Sequence, residues 1–173
     1  MWGMIATWRM ALEGVEKGCE QLANGKFSGD AIESAIREVE DFPFYKSVGY
    51  GGLPNEEMEV ELDAGYMDGT AFNFGAVGAV KDFANPISIA RRLSDLSANN
   101  FLVGEGVEKF ASKEGFERKN MLTDRAKIHY HNRVKELNAK MAEDPELTPY
   151  TGHDTVGMVG LDREGHVVTG TST

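Results

Sequence analysis

The bond between Asp154 and Thr155, in the stretch Gly152-His153-Asp154-Thr155, joins a carboxylate residue to a hydroxyl residue just ahead of a small-residue, β-rich segment. A threonine hydroxyl is a weak nucleophile at neutral pH. If the bond before it breaks, the new α-amine titrates near ~8 and can accept the hydroxyl proton, so nucleophile and base reside on one residue. No histidine is then needed. Thr155 is the candidate nucleophile and Asp154-Thr155 the candidate cleavage junction.

Other residues offer weaker chemistry. Ser47-Val48-Gly49-Tyr50-Gly51-Gly52-Leu53-Pro54-Asn55 has glycines where backbone can approach closely or take positive φ. That suits a site wall, a phosphate cradle or a plain structural turn. The spacing is neither the strand-linked GxGxxG nor a Walker sequence with its lysine, which disfavours phosphate. Trp8, near the end of an apolar strand, serves either core packing or a pocket wall. His129 and His131 are two apart on a predicted helix, about 200° around its axis, so they cannot share a metal as an i, i+4 pair can. Cys19 is the sole cysteine and reads as a small hydrophobe on a helix.

These residues need a scaffold. Gly3 to Trp8 reads as a buried strand, followed from about Met10 by a helix with Leu12, Val15, Cys19 and Leu22 on one face and Asn24-Gly25 as its stop. Asp30 with Glu33 forms a capping box for a second helix ending at Asp41 to Pro43. Glu57 to Met67 and Ala71 to Val80 are strand-like and joined by Asp68-Gly69, a tight-turn pair. Asn85 caps a third helix with Pro86 in its first turn, running to about Ala98. Val107 to Lys113 and Asp124 to Met141 are two more helices. Residues 144–152, with two prolines, form a loop to the junction, and Val156 to Leu161 with His166 to Thr171 form a hairpin around Asp162-Arg163-Glu164-Gly165. Strands at the start, middle and end without strict alternation give an α+β class in a single domain.

The ending GHDTVGMVGLDREGHVVTGTST resembles the self-cleaving junction of glycosylasparaginases, members of the N-terminal-nucleophile hydrolase superfamily. Thr7-Trp8, the SVGYGG segment, Leu62-Asp63-Ala64, Gly75-Ala76-Val77-Gly78 and Leu102-Val103-Gly104-Glu105-Gly106 match further family motifs in order; Glu59 to Glu61 depart from the pattern. The resemblance implies a four-layer α-β-β-α sandwich. It implies an α-portion over residues 1–154 and, over 155–173, only the first hairpin of a β-portion. It assigns autoproteolysis to His153, Asp154 and Thr155: the Thr155 hydroxyl attacks the Asp154 carbonyl, Asp154 assists proton transfer, and His153 orients or strains the bond. It assigns catalysis to Thr155 and Thr173, and substrate binding to Trp8 and Ser47.

The implied reaction hydrolyses the side-chain amide of asparagine or N4-glycosyl-asparagine, with neither metal nor organic cofactor. The implied partners are a small amide substrate, a β-portion carrying the carboxylate clamp and oxyanion donors, and other αβ units in a homo-oligomer. Two alternatives stand beside this: an inactive fragment or half-enzyme, and an isoaspartyl peptidase/L-asparaginase. The 173 residues alone are expected to stay uncleaved at 19.0 kDa and to release little or no aspartate.

Composition narrows the partners. With 28 acidic against 18 basic residues and a net charge of −10, nucleic acid and anionic membrane surfaces are disfavoured. No run reaches the ~18 apolar residues of a membrane span. Met1 to Leu12 lacks the basic and apolar regions of a secretion signal, so the expected compartment is cytoplasmic.

Overall fold

The computed structural model describes residues 1–96, 98–144 and 155–173. In chain order, these contain β1 (Gly3–Ala6), α1 (Leu12–Ala23), α2 (Ser28–Asp41), β2 (Leu62–Asp68), β3 (Asn73–Val80), α3 (Pro86–Ser94), β4 (Phe101–Val103), α4 (Glu105–Lys113), α5 (Asp124–Glu143), β5 (Val156–Leu161) and β6 (Val167–Ser172). The strands form one sheet in the order β1-β5-β6-β2-β3-β4, antiparallel except for the parallel β3–β4 pair. The α+β class holds.

Period-two alternation sends one set of side chains to each face. Val156, Met158, Val168, Tyr66 and Val77 point to the face covered by α2 and α3, where they meet Ile32, Ile36 and Val39 of α2 and Ile87, Ala90 and Leu93 of α3. Each such buried side chain contributes about 1.5–3 kcal/mol. Gly75 lets α3 lie close on the sheet, since a Cβ there would be 2.1 Å from the Ala90 carbonyl oxygen. The other face keeps Ile5, Val159, Val167, Phe74, Phe101 and Val103 exposed. Among the described residues the sheet has no second sheet against that face.

Several elements differ from the sequence expectations. Beyond the expected hairpin with β5, β6 also pairs with β2, so it is hydrogen-bonded on both edges. β4 is an additional strand, read in the sequence only as part of a motif. Asp68-Gly69 makes no two-residue turn. Asp68 pairs with Asn73 across a four-residue loop, and the Asp68 carboxylate accepts from the Thr70 and Ala71 amides at 2.9 and 3.0 Å. α2 begins at Ser28 without a side-chain cap, so Asp30 and Glu33 form no capping box. Their carboxylates instead grip Arg91 of α3, each at 2.6 Å. Asn85 takes a left-handed conformation (φ 54°) and gives α3 no cap, because its amide donates to Glu40 and Asp41.

Candidate active site

Thr155 stands exposed at the entrance to β5. Val156 pairs with Ser172 and Ser172 with Ala64, so the register carried one residue outward aligns Thr155, Thr173 and Asp63 in a row at the sheet's end. Thr173 and Asp63 exchange backbone hydrogen bonds, Thr173 N to Asp63 O at 3.0 Å and Asp63 N to Thr173 O at 3.3 Å. The Thr173 hydroxyl donates to the Ser47 carbonyl at 3.1 Å. Ser47, Asp63, Thr155 and Thr173 line one cavity of about 630 Å³, whose far wall includes Tyr130 and Arg133 of α5.

The structure thus brings Ser47, Thr155 and Thr173 together. Trp8 does not line the cavity; it is 59% exposed, with φ 65° where the chain leaves β1. Positive φ at a bulky residue is uncommon and costs of order 1 kcal/mol or more. It turns the chain directly after Thr7, and Thr7 is the residue that touches the candidate nucleophile. The Thr7 hydroxyl donates to the Thr155 carbonyl at 3.1 Å and accepts from the Gly157 amide at 2.9 Å, while Thr7 N donates to the Gly157 carbonyl at 2.9 Å. One side chain therefore pins the backbone on both sides of Val156, where β5 begins. His153 and Asp154 lie outside the described residues.

The glycine-rich segment is a wall, seated on the end of α2. Gly49 takes φ 64°, and a Cβ there would be 2.3 Å from the Glu40 carbonyl oxygen. That oxygen accepts from the Tyr50 amide at 2.7 Å, and Leu53 N returns to the Lys46 carbonyl at 2.8 Å. Glycine is required at 49 by both conformation and space.

Beneath this wall, Glu40 is fully buried. Its Oε1 accepts from the Ser172 hydroxyl at 2.6 Å and the Ile87 amide at 3.1 Å, and its Oε2 accepts from Asn85 Nδ2 at 3.2 Å. Burial pushes the carboxyl from 4.5 up to about 7, against the pull of those donors and with a further push from neighbouring Asp41. Glu40 joins α2, the start of α3 and the residue before Thr173.

At the other end of the β5–β6 hairpin, Asp162 is nearly buried and its carboxylate collects four donors. These are Ser28 N and the His166 ring on Oδ2, with Glu164 N and His166 N on Oδ1, at 2.9–3.0 Å. Burial resists ionisation, but the donors outweigh it and hold the group at about 2. His129 accepts from Arg125 at 3.1 Å. Among the described residues no three His, Cys, Asp or Glu side chains gather as a metal site, and no helix is long and apolar enough to cross a membrane.

Sequence reasoning missed Thr7 and Glu40 as supports. Thr7 is adjacent to Trp8 in a recognised pair, but hydroxyl chemistry at a strand end carries no signature. Glu40 sits among Glu38 and Asp41, and only packing distinguishes it from a solvated acid.

Residues 6–173 match the sequence model of a family described as asparaginase. An N(4)-(beta-N-acetylglucosaminyl)-L-asparaginase of Elizabethkingia miricola is 35% identical over 164 residues, covering 95% of this chain and 46% of the relative. An isoaspartyl peptidase/L-asparaginase of Rattus norvegicus is 34% identical over 168 residues, covering 93% and 49%. The N(4)-(beta-N-acetylglucosaminyl)-L-asparaginase of the same animal is 30% identical over 197 residues, covering 99% and 52%. The chain spans about half the length of these relatives.

Proposed function

The chain belongs to the asparaginase family, and on that premise we propose that it supplies Thr155 as the N-terminal nucleophile of an amidohydrolase acting on asparagine-type side-chain amides. The observation carrying this reading is the meeting of Ser47, Thr155 and Thr173 at one cavity, from three separate segments of the chain.

In the proposed activation, the Thr155 hydroxyl attacks the Asp154 carbonyl, the amide nitrogen leaves as the Thr155 α-amine, and water hydrolyses the resulting ester. In turnover, the α-amine takes the hydroxyl proton as Thr155 Oγ1 attacks the substrate's amide carbonyl. The proton passes to the departing amine, and the β-aspartyl ester left on Thr155 is hydrolysed by water to aspartate. Thr7 fixes the Thr155 backbone through its carbonyl, and Thr173 fixes the facing wall through Ser47.

A β-portion beginning at Thr155 completes this account. Its later residues would supply the carboxylate clamp and the oxyanion donors, one of which is typically worth 10²–10³ in rate. A sheet from it laid on the exposed face with Ile5, Val159 and Val167 would complete the four layers. A second reading, hydrolysis of isoaspartyl peptides, is favoured by a specific finding: relatives of that name are as similar, at 33–36% identity, as those named for glycosylated asparagine, at 30–35%.

The test is hydrolysis by the protein produced to the length of its relatives. Asparagine, N4-acetylglucosaminyl-asparagine and an isoaspartyl dipeptide are supplied separately. Turnover that resists a chelator and vanishes in Thr155→Ala supports the proposal, and the preferred substrate separates the two readings. Equal turnover by Thr155→Ala rejects both.

A further inference from the structure

Ser47 and Thr173 reach the cavity on different segments, and both segments are seated on one residue, Glu40, in the last turn of α2. Its side chain takes one of them: the Ser172 hydroxyl donates to Oε1 at 2.6 Å. Its backbone takes the other. The Glu40 carbonyl oxygen accepts from the Tyr50 amide at 2.7 Å, and Gly49 lies so close that a Cβ there would meet the Glu40 Cα at 2.5 Å. The tips of the two segments then meet in the hydrogen bond from the Thr173 hydroxyl to the Ser47 carbonyl. Successive side chains of a strand point to opposite faces, so Ser172 held inward presents Thr173 to the cavity.

A carboxyl is an expensive way to fill this space. An apolar side chain of the same length would pack there without desolvating a charge. What it could not do is hold Ser172, which is itself 1% exposed and whose hydroxyl finds its acceptor in Glu40 Oε1. The remaining donors to the carboxylate, Ile87 N at 3.1 Å and Asn85 Nδ2 at 3.2 Å, come from the start of α3 and keep the group in place for Ser172. Side chain and backbone of one buried residue thus fix two distant stretches of chain relative to each other.

We propose that Glu40 is a positioning residue for the Thr155 site, holding Ser172 with its carboxylate and Tyr50 with its carbonyl so that Thr173 and Ser47 stand in register beside the nucleophile. Glu40 touches no substrate and acts only through Ser172 and the glycine-rich wall. The kinetic consequence rests on the reading of Thr155 as nucleophile; the seating of Thr173 does not. A displacement of about 1 Å at a reacting site can cost 10²-fold in rate, so loosening this seat should fall on turnover more than on substrate affinity.

The test compares Glu40→Met, Ser172→Ala, their double variant and Glu40→Gln in the protein produced to the length of its relatives. For each, intact mass gives the fraction cut at Thr155, asparagine hydrolysis gives kcat per cut chain and KM, and hydrogen exchange is followed at the Thr173 and Asp63 amides, which bond each other's carbonyls. Glu40→Met and Ser172→Ala should each lower kcat about tenfold or more with KM changed less than about threefold, and should speed both exchanges. The double variant should be little worse than either single one, because both remove the same bond. Glu40→Gln, whose oxygen still accepts from Ser172, should stay within about threefold of native kcat with exchange unaltered. Gly75→Ala, which disturbs the β3–α3 contact outside the cavity lining, controls for lost stability and should keep kcat per cut chain. Should Glu40→Met fail to fold, Ser172→Ala removes only one hydroxyl and carries the test. Unchanged kcat and exchange in Ser172→Ala, additive losses in the double variant, or an equal loss in Gly75→Ala would overturn the proposal. If the native protein has no turnover, the reading of Thr155 falls and exchange decides the seating: faster in Ser172→Ala but not in Glu40→Gln upholds it, and unchanged in both rejects it.

Discussion

Replacing Glu40 by glutamine should make the protein more stable in mild alkali and less stable in acid. The Glu40 carboxyl is buried and titrates at about 7 in the folded chain against 4.5 when exposed. At about 1.4 kcal/mol per pH unit, that gap is roughly 3 kcal/mol. The sign follows from proton binding. Between pH 4.5 and 7 the folded chain holds a proton that the unfolded chain has released, so stability is full below 4.5 and is lost as the pH rises through 7. Glutamine cannot ionise and removes this slope. Its oxygen can keep the Ser172 and Ile87 donors, but its NH₂ replaces the oxygen that accepts from Asn85 at 3.2 Å. Two donors then face each other, a loss of about 1 kcal/mol. The net expectation is a gain of about 2 kcal/mol at pH 8 and a deficit of about 1 kcal/mol at pH 4.5. Urea unfolding at both pH values and fixed ionic strength measures it. If the difference between Glu40→Gln and the native chain is the same at both, the account of this carboxyl is wrong.

Asp162→Ala should cost about 2 kcal/mol at pH 7, a penalty that shrinks as pH falls from 3.8 through about 2, where the native carboxylate takes up its proton; urea unfolding at pH 7 and 2.5 with no change in the penalty would contradict this. Thr7→Val should cost about 1–2 kcal/mol and speed hydrogen exchange at the Gly157 amide, while Thr7→Ser keeps both; unaltered exchange in the valine variant would deny the bridge. Gly75→Ala should lose about 3 kcal/mol, as its Cβ meets the Ala90 carbonyl, whereas Gly3→Ala, with open space around it, should change stability by less than about 0.5 kcal/mol; similar thermal unfolding of the two variants would show that the close contact between β3 and α3 does not matter.

The β5–β6 hairpin was legible because alternation and the turn Asp162 to Gly165 agree locally. The clustering of Ser47 with Thr155 and Thr173 was legible only through the resemblance, since no local pattern ties residue 47 to residue 173. What stayed hidden depends on tertiary choices. Asp30 and Glu33 have the spacing of a capping box, but Arg91 of a later helix offers their carboxylates a stronger partner than backbone amides. The pairing of β6 with β2 was hidden because no local pattern says which earlier strand edge is open to receive it. Asp68-Gly69 carries a turn signal, yet the Asp68 side chain serves the two amides that follow and lengthens the loop.

The central claim is that Thr155 becomes a free N-terminus and the nucleophile. Intact-mass measurement of the protein produced to the length of its relatives tests it most directly. One fragment should end at Asp154 and another begin at Thr155, and both should vanish in Thr155→Ala. A single uncut species in the native protein, or a cut at any other bond, would contradict the account.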